Sequence, residues 1–179
     1  MKLFSMLFVL SFAIYGSAGN TPRPHPQRRT SNWRQASDPE LRSVIPARAP
    51  VISERIETEM RTASGITDGH HKFIALVVMI TAGYAAEGKY NDFLITQVPI
   101  KIGTMALKPG NYVFGAHRKD DSTLELSFYE ASTGSPTGIV EAIHEKEHGA
   151  IRSLSISPPE NGAGLIGVGR FAVQYTLGS

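Results

Sequence analysis

The sequence predicts an all-β fold, an antiparallel β-sandwich of about seven to nine strands, and three observations carry that expectation. From Glu54 onward, turn-forming residues recur about every 8–12 positions, the spacing of short strands joined by tight turns. Between the turns, side chains alternate between apolar and polar. The alternation is cleanest in Leu124-Glu125-Leu126-Ser127-Phe128-Tyr129 and has the period of a strand with one buried face. The chain of 179 residues also holds 17 glycines and 11 prolines, which suit many turns, and it contains no internal repeat or heptad pattern.

Residues 1–18 read as a secretory signal peptide. Met1-Lys2 is a short basic start, Leu3 to Tyr15 is an apolar run, and Gly16-Ser17-Ala18 is a small-residue cleavage site. The expected compartment is therefore secreted or periplasmic. Residues 19–50 hold six prolines and the lone aromatic Trp33, and Thr21-Pro22-Arg23-Pro24-His25-Pro26 alternates proline with polar and basic residues. Such a segment buries too little apolar surface to offset its ordering entropy, so it reads as a disordered, extended linker ahead of a domain over 51–179. It reads either as a solvated spacer or as a basic arm for anionic envelope polymer or lipid headgroups.

Arg55 to Thr62 alternates as a half-buried strand, and Ser64-Gly65-Ile66-Thr67-Asp68-Gly69 reads as a turn. The run Phe73 to Ala82 is too short for a transmembrane helix, which needs about 20 apolar residues. Two readings remain. His70-His71-Lys72, Phe73–Ala82 and Gly83-Tyr84-Ala85-Ala86 have the three parts of a second signal sequence, with Met60 as a start. Alternatively, 73–82 is a strand buried on both faces that pairs with 55–62. The alternation in 55–62 favours the strand, because a transit segment has no use for it.

Further strands are expected at Phe93–Val98, Ile100–Ile102, Tyr112–Phe114, Leu124–Tyr129, Ile139–His144, Ile151–Ile156, Leu165–Val168 and Phe171–Leu177. By strand alternation Tyr112 and Phe114 share one face. With Phe128 and Tyr129 they line either a core or a shallow ligand face. Gly103, Leu107, Pro109, Gly110 and Tyr112 form a G-x-x-x-L-x-P-G-x-Y pattern. It resembles a hairpin of small exported bacterial β-sandwich domains of unknown function. The resemblance implies a fold and a compartment but no activity. Pro109-Gly110 is expected to form a type II turn with positive φ at the glycine.

Absence of cysteine excludes disulfides, thiolate nucleophiles, thiolate metal sites and a lipidated N-terminal cysteine. Residues 20–50 carry a net charge of +4 and residues 51–179 a net charge of −3. A mildly acidic body argues against nucleic acid as a partner.

His144-Glu145-Lys146-Glu147-His148 matches H-E-x-x-H and is similar to the metal motif of zinc metallopeptidases. On a helix both imidazoles share one face and could hold zinc, with Glu145 as general base. A helical pattern runs through Ile139, Val140, Ile143, Ile151 and Leu154. Against it, Lys146 and Glu147 are charged, Gly149 weakens a helix, and the sole downstream carboxylate within reach is Glu160. The same residues read more simply as a charged turn between strands 138–144 and 150–157. His70-His71 reads as a solvated turn rather than a chelate, and His117 to Asp121 as an exposed hairpin tip. Gly162, Gly164, Gly167 and Gly169 lack the strand–loop–helix frame of a phosphate cradle and read as tight turns or bulges. No serine sits in G-x-S-x-G.

These residues lead to an expected function: an exported, non-enzymatic binding or structural module of the bacterial cell envelope, without a cofactor, whose partner is an envelope polymer or protein. The alternative is a small zinc-dependent hydrolase built on His144, Glu145 and His148. A third reading is a barrel for an apolar ligand.

Overall fold

Phe73–Met79, the apolar run, is a strand buried on both faces, and the rest of the fold follows from what covers each face. The structure is a computed structural model and describes residues 32–81, 90–145 and 150–178. Among the described residues there are thirteen strands and one short helix. In chain order they are β1 (Arg34–Gln35), α1 (Asp38–Val44), β2 (Arg48–Val51), β3 (Glu54–Thr67), β4 (Phe73–Met79), β5 (Asp92–Thr96), β6 (Ile100–Ile102), β7 (Met105–Leu107), β8 (Gly110–Arg118), β9 (Thr123–Glu130), β10 (Pro136–His144), β11 (Arg152–Ile156), β12 (Ala163–Gly169) and β13 (Phe171–Leu177).

The strands pair antiparallel in the order β1-β3-β4-β5-β8-β9-β10-β13-β12-β11, with β2 on β3 and the β6–β7 hairpin on β13. This corrects the sandwich. The backbone forms one sheet of ten strands, curled into a half-barrel, rather than two stacked sheets. Strand period reveals that a segment is extended but not which sheet it joins. Bulges between Glu59 and Ser64, between Pro136 and Gly138, and between Arg152 and Leu154 supply curvature. The curl brings β11 back against β3 and β4.

Inside the curl lies the larger core. Ile74, Leu76, Leu94, Phe114, Leu126, Phe128, Ile166 and Tyr175 are all buried there, and Trp33 packs against it. Tyr112 and Phe114 do share this face, and the Phe114 and Phe128 rings stack at 4.8 Å. On the convex side a smaller core joins Phe73, Ala75, Val77, Phe93, Ile95 and Val113 to Leu41, Ile45, Ala49 and Val51. The bend in β3 makes this second layer possible. Ser64–Thr67 stays in the main sheet, while Glu54–Glu57 pairs with β2 and lies over the convex face. The two-residue β2–β3 turn is tied to the far end of β9 by the Ile52 N–H donating to Ala131 O at 2.7 Å.

The expectation of a disordered linker over 19–50 is therefore corrected for its described part. Residues 34–50 are built into the fold, because the convex faces of β4 and β5 need a cover and Leu41, Ile45 and Ala49 supply it. The helix start is also encoded locally. The Glu40 carboxylate accepts the Ser37 N–H at 2.8 Å and the Ser37 hydroxyl at 2.7 Å, a capping box, and Pro39 sits in the first turn. Arg34 grips the same carboxylate in bidentate fashion, and this contact, then the bonds from Ser37, hold its pKa at about 2. The signal-peptide segment 1–18, the linker up to residue 31, and Gly83-Tyr84-Ala85-Ala86 of the second-signal reading lie outside the described residues.

Strands β3 and β4 pair as expected, but the turn between them is Asp68–Lys72. Ser64 to Thr67 is strand, in place of the expected turn. The Pro109-Gly110 expectation is also corrected. Gly110 begins β8 without positive φ, and the left-handed position belongs to Gly103 (φ 55°) in the tight β6–β7 turn. Tyr112 instead closes its loop by donating its hydroxyl to Lys108 O at 2.9 Å. The glycine-rich stretch is mostly strand. A Cβ at Gly164 would fall 2.5 Å from the Tyr175 ring, so glycine here serves close packing. Among the described residues no helix is long and apolar enough to cross a membrane.

Candidate functional site

The two free edges of the curled sheet, β1–β3 on one side and β11 on the other, face each other across a seam. Among the described residues no ladder joins them; a side chain does. The bulge in β3 presents Ser64, whose Oγ accepts the Ile156 N–H at 3.0 Å and lies 3.5 Å from Gln35 Nε2. The bulge is itself held by Thr62, whose hydroxyl donates to Glu59 O at 2.7 Å and accepts the Val78 N–H at 3.0 Å. Beside this bridge the seam opens into a cleft of about 270 Å³.

Gln35, Ser64 and Ser155 line the cleft walls, Phe171 gives it an apolar surface, and Glu145, Arg152 and Arg170 are charged lining groups. The turn geometry brings the charges together. Arg152 pairs with Gly169, next to Arg170, and the Glu145 N–H donates to Arg170 O at 3.0 Å. Salt bridges among the described residues lie elsewhere, at Arg34–Glu40, Arg61–Glu59 and Lys119–Glu141, so neither Arg152 nor Arg170 is neutralised by one. The Phe171 ring has two further neighbours on the concave side. His144 meets it edge-on at 5.4 Å, and the Arg118 guanidinium lies 5.5 Å from its centroid.

His144 is the last residue of β10, on the same face as Val140 and Ala142, and its N–H donates to Ser122 O at 2.8 Å. Glu145 follows in an extended segment and is exposed. The helical reading of His144-Glu145-x-x-His148 is corrected on its described part. Ile139, Val140 and Ile143 lie on a strand, so no helical face carries His144. His148 lies outside the described residues. Glu160 sits beyond Ile156, at the opposite end of β11 from Arg152, and does not join His144. The simpler hairpin between 138–144 and 150–157 is corrected too: β10 pairs with β9 and β13, whereas β11 pairs with β12. His70 and His71 are exposed in the β3–β4 turn, and His117 is exposed near the end of β8, where the expected hairpin tip stands. Among the described residues no group of three potential ligands could hold a metal ion.

No protein-family model, curated protein or solved structure matches this chain. The chemistry of the cleft therefore stands on its own residues. It offers two guanidinium groups, two hydroxyls and a carboxamide that can donate hydrogen bonds to an anion, with the Glu145 carboxylate as the one acidic group among the described lining. Sequence reasoning missed Ser64, Arg152, Arg170 and Phe171, because they meet only through the curl of the sheet and the β3 bulge, and neither leaves a local pattern.

One buried acid at this end stands apart. Asp92 opens β5 between Val78 and Phe114 on the concave face and is 6% exposed. Burial pushes its pKa up to about 7.

Proposed function

We propose that this chain is an exported, non-enzymatic binding module of the bacterial cell envelope, and that the seam cleft takes a carboxylate group of an envelope polymer. The observation that carries the reading is the pair Arg152 and Arg170, without a salt bridge to any described residue, at a cleft whose Ser64 and Gln35 walls are fixed by the fold. Planar guanidinium groups match a carboxylate in bidentate geometry. The signal-like pattern of residues 1–18 supports export.

The test is co-sedimentation of the mature chain with purified peptidoglycan sacculi, whose peptide stems bear carboxylates. The expected result is salt-sensitive pelleting that R152Q/R170Q weakens about tenfold, the scale of one lost charge-assisted contact. Wild-type protein left wholly in the supernatant overturns the reading.

A further inference from the structure

A second basin lies at the opposite end of the sheet, where β3 turns into β4, β5 ends and β8 begins. Its volume is about 680 Å³. The basic side chains lining it are Arg55, Lys72 and the imidazole of His71, with no acidic residue among the described lining. Neither Arg55 nor Lys72 enters a salt bridge with a described residue. The polar lining adds Gln97 and Asn111. Gln97 uses its carbonyl oxygen to accept the Phe73 N–H at 3.0 Å, which leaves its amide N–H groups to donate. Pro46, Pro50, Ile95 and Pro109 complete an apolar, rigid floor. The basin thus presents cations and donors over an apolar surface, with no acidic side chain among its described lining residues.

The nearest carboxylate in the turn is already committed. Asp68 Oδ1 accepts the His70 N–H at 2.7 Å and the Lys72 N–H at 3.0 Å, which fixes the turn backbone. His71 holds the left-handed position of that turn, with φ at 75°, where glycine or asparagine costs less. Backbone strain at a non-glycine residue is retained where surrounding structure enforces it, and such residues cluster at ligand sites.

We propose that this basin binds a phosphate-bearing organic anion. Two permanent cations, with the Gln97 amide as a further donor, match a phosphate group, which carries three acceptor oxygens and up to two charges near neutrality, better than they match a single carboxylate. The proline-lined floor accommodates the ester's carbon skeleton. Two sources share this chemistry, a soluble phosphate ester and a phospholipid headgroup. The site is separate from the seam cleft, so either reading can fail without the other.

The experiment is a titration of the full mature chain, isotope-labelled and followed by amide NMR, with glycerol 3-phosphate. A parallel flotation assay uses vesicles of equimolar phosphatidylglycerol and phosphatidylcholine. Saturable shifts at Lys72, Gln97 and Asn111 are expected, weakened about tenfold in R55Q/K72Q and unchanged in R152Q/R170Q. Both double variants replace exposed side chains, and an unchanged thermal midpoint verifies their folding. Binding to vesicles alone, lost in R55Q/K72Q, also supports the proposal and names the headgroup as the source. No shift and no flotation overturn it, as does binding that R55Q/K72Q leaves intact.

Discussion

Strands β4 and β10 belong to the same sheet and have opposite surroundings. Every residue of β4 except Val78 is buried, because the concave core takes Ile74 and Leu76 while α1 and β2 cover Phe73, Ala75, Val77 and Met79. On β10 the concave core takes Val140 and Ala142, whereas Ile139 and Ile143 stand in solvent at 58% and 53% exposure. The half of the sheet around β4 and β5 is covered on both faces, and the half around β10 on one. The lesson is that a continuous apolar strand implies a cover on each side, and that the cover must come from somewhere in the chain.

The comparison breaks most directly by placing a charge on each convex face. Val77→Asp is expected to cost about 5 kcal/mol or more, because a carboxylate would be buried between sheet and cover. Ile139→Asp on the open face is expected to stay within about 0.5 kcal/mol. Urea denaturation of the two variants checks this, and equal losses would sink the distinction between the halves.

A second test removes part of the cover itself. Leu41 packs so close to Gly65 that a Cβ there would lie 2.5 Å from Leu41 Cδ2. Leu41→Ala is expected to cost about 3 kcal/mol and to increase binding of an apolar fluorescent dye. Unchanged stability and dye binding would mean that α1 is ornamental.

Asp92 sharpens the comparison through pH. Its carboxyl is held near pKa 7 in the fold against 3.8 for the unperturbed group, so the folded state binds the proton more tightly than the unfolded one. Stability from this group is present below about pH 4 and is lost as pH rises to about 7. Asp92→Asn is expected to flatten that slope between pH 4 and 7 in denaturation curves. A slope that persists in the variant assigns it to other groups.

The smallest effect lies at the hairpin that carries the cover. Ile52 has φ at 54°, a conformation a β-branched residue adopts only under strain, at the first position of a two-residue turn. Ile52→Gly is expected to raise stability by about 1 kcal/mol, read as a higher thermal midpoint. A lowered midpoint would show that the contact of Ile52 with the Gly134 and Tyr90 region outweighs the strain.

The strands were largely legible in the sequence because one-sided burial writes a period of two into it. Tyr112, Phe114, Leu126, Phe128 and Val173 show it plainly, and the expected segments from Phe93 to Leu177 correspond to β5, β6 and β8–β13. The cover was legible only in part. The two-sided burial of β4 demands a partner, yet the prolines and arginines of residues 19–50 suggest disorder, and the Ser37–Glu40 capping box is seen only in the fold. The sheet's curl was not legible, since register and bulges depend on partners distant in sequence. The candidate cleft inherited that opacity. Glu145 belongs to the H-E-x-x-H pattern yet lines the cleft beside Arg170, while Ser64 reads as a turn residue in the sequence and lies on β3.

The seam has a mechanical consequence. Where β9 meets β10, seven register pairs share any load along the strands. Where β11 meets β3, tension across the gap falls on the Ser64 hydroxyl and the packing behind it. Pulled from its ends, the half-barrel would part along this line before any ladder shears, and would do so with its core strands still paired.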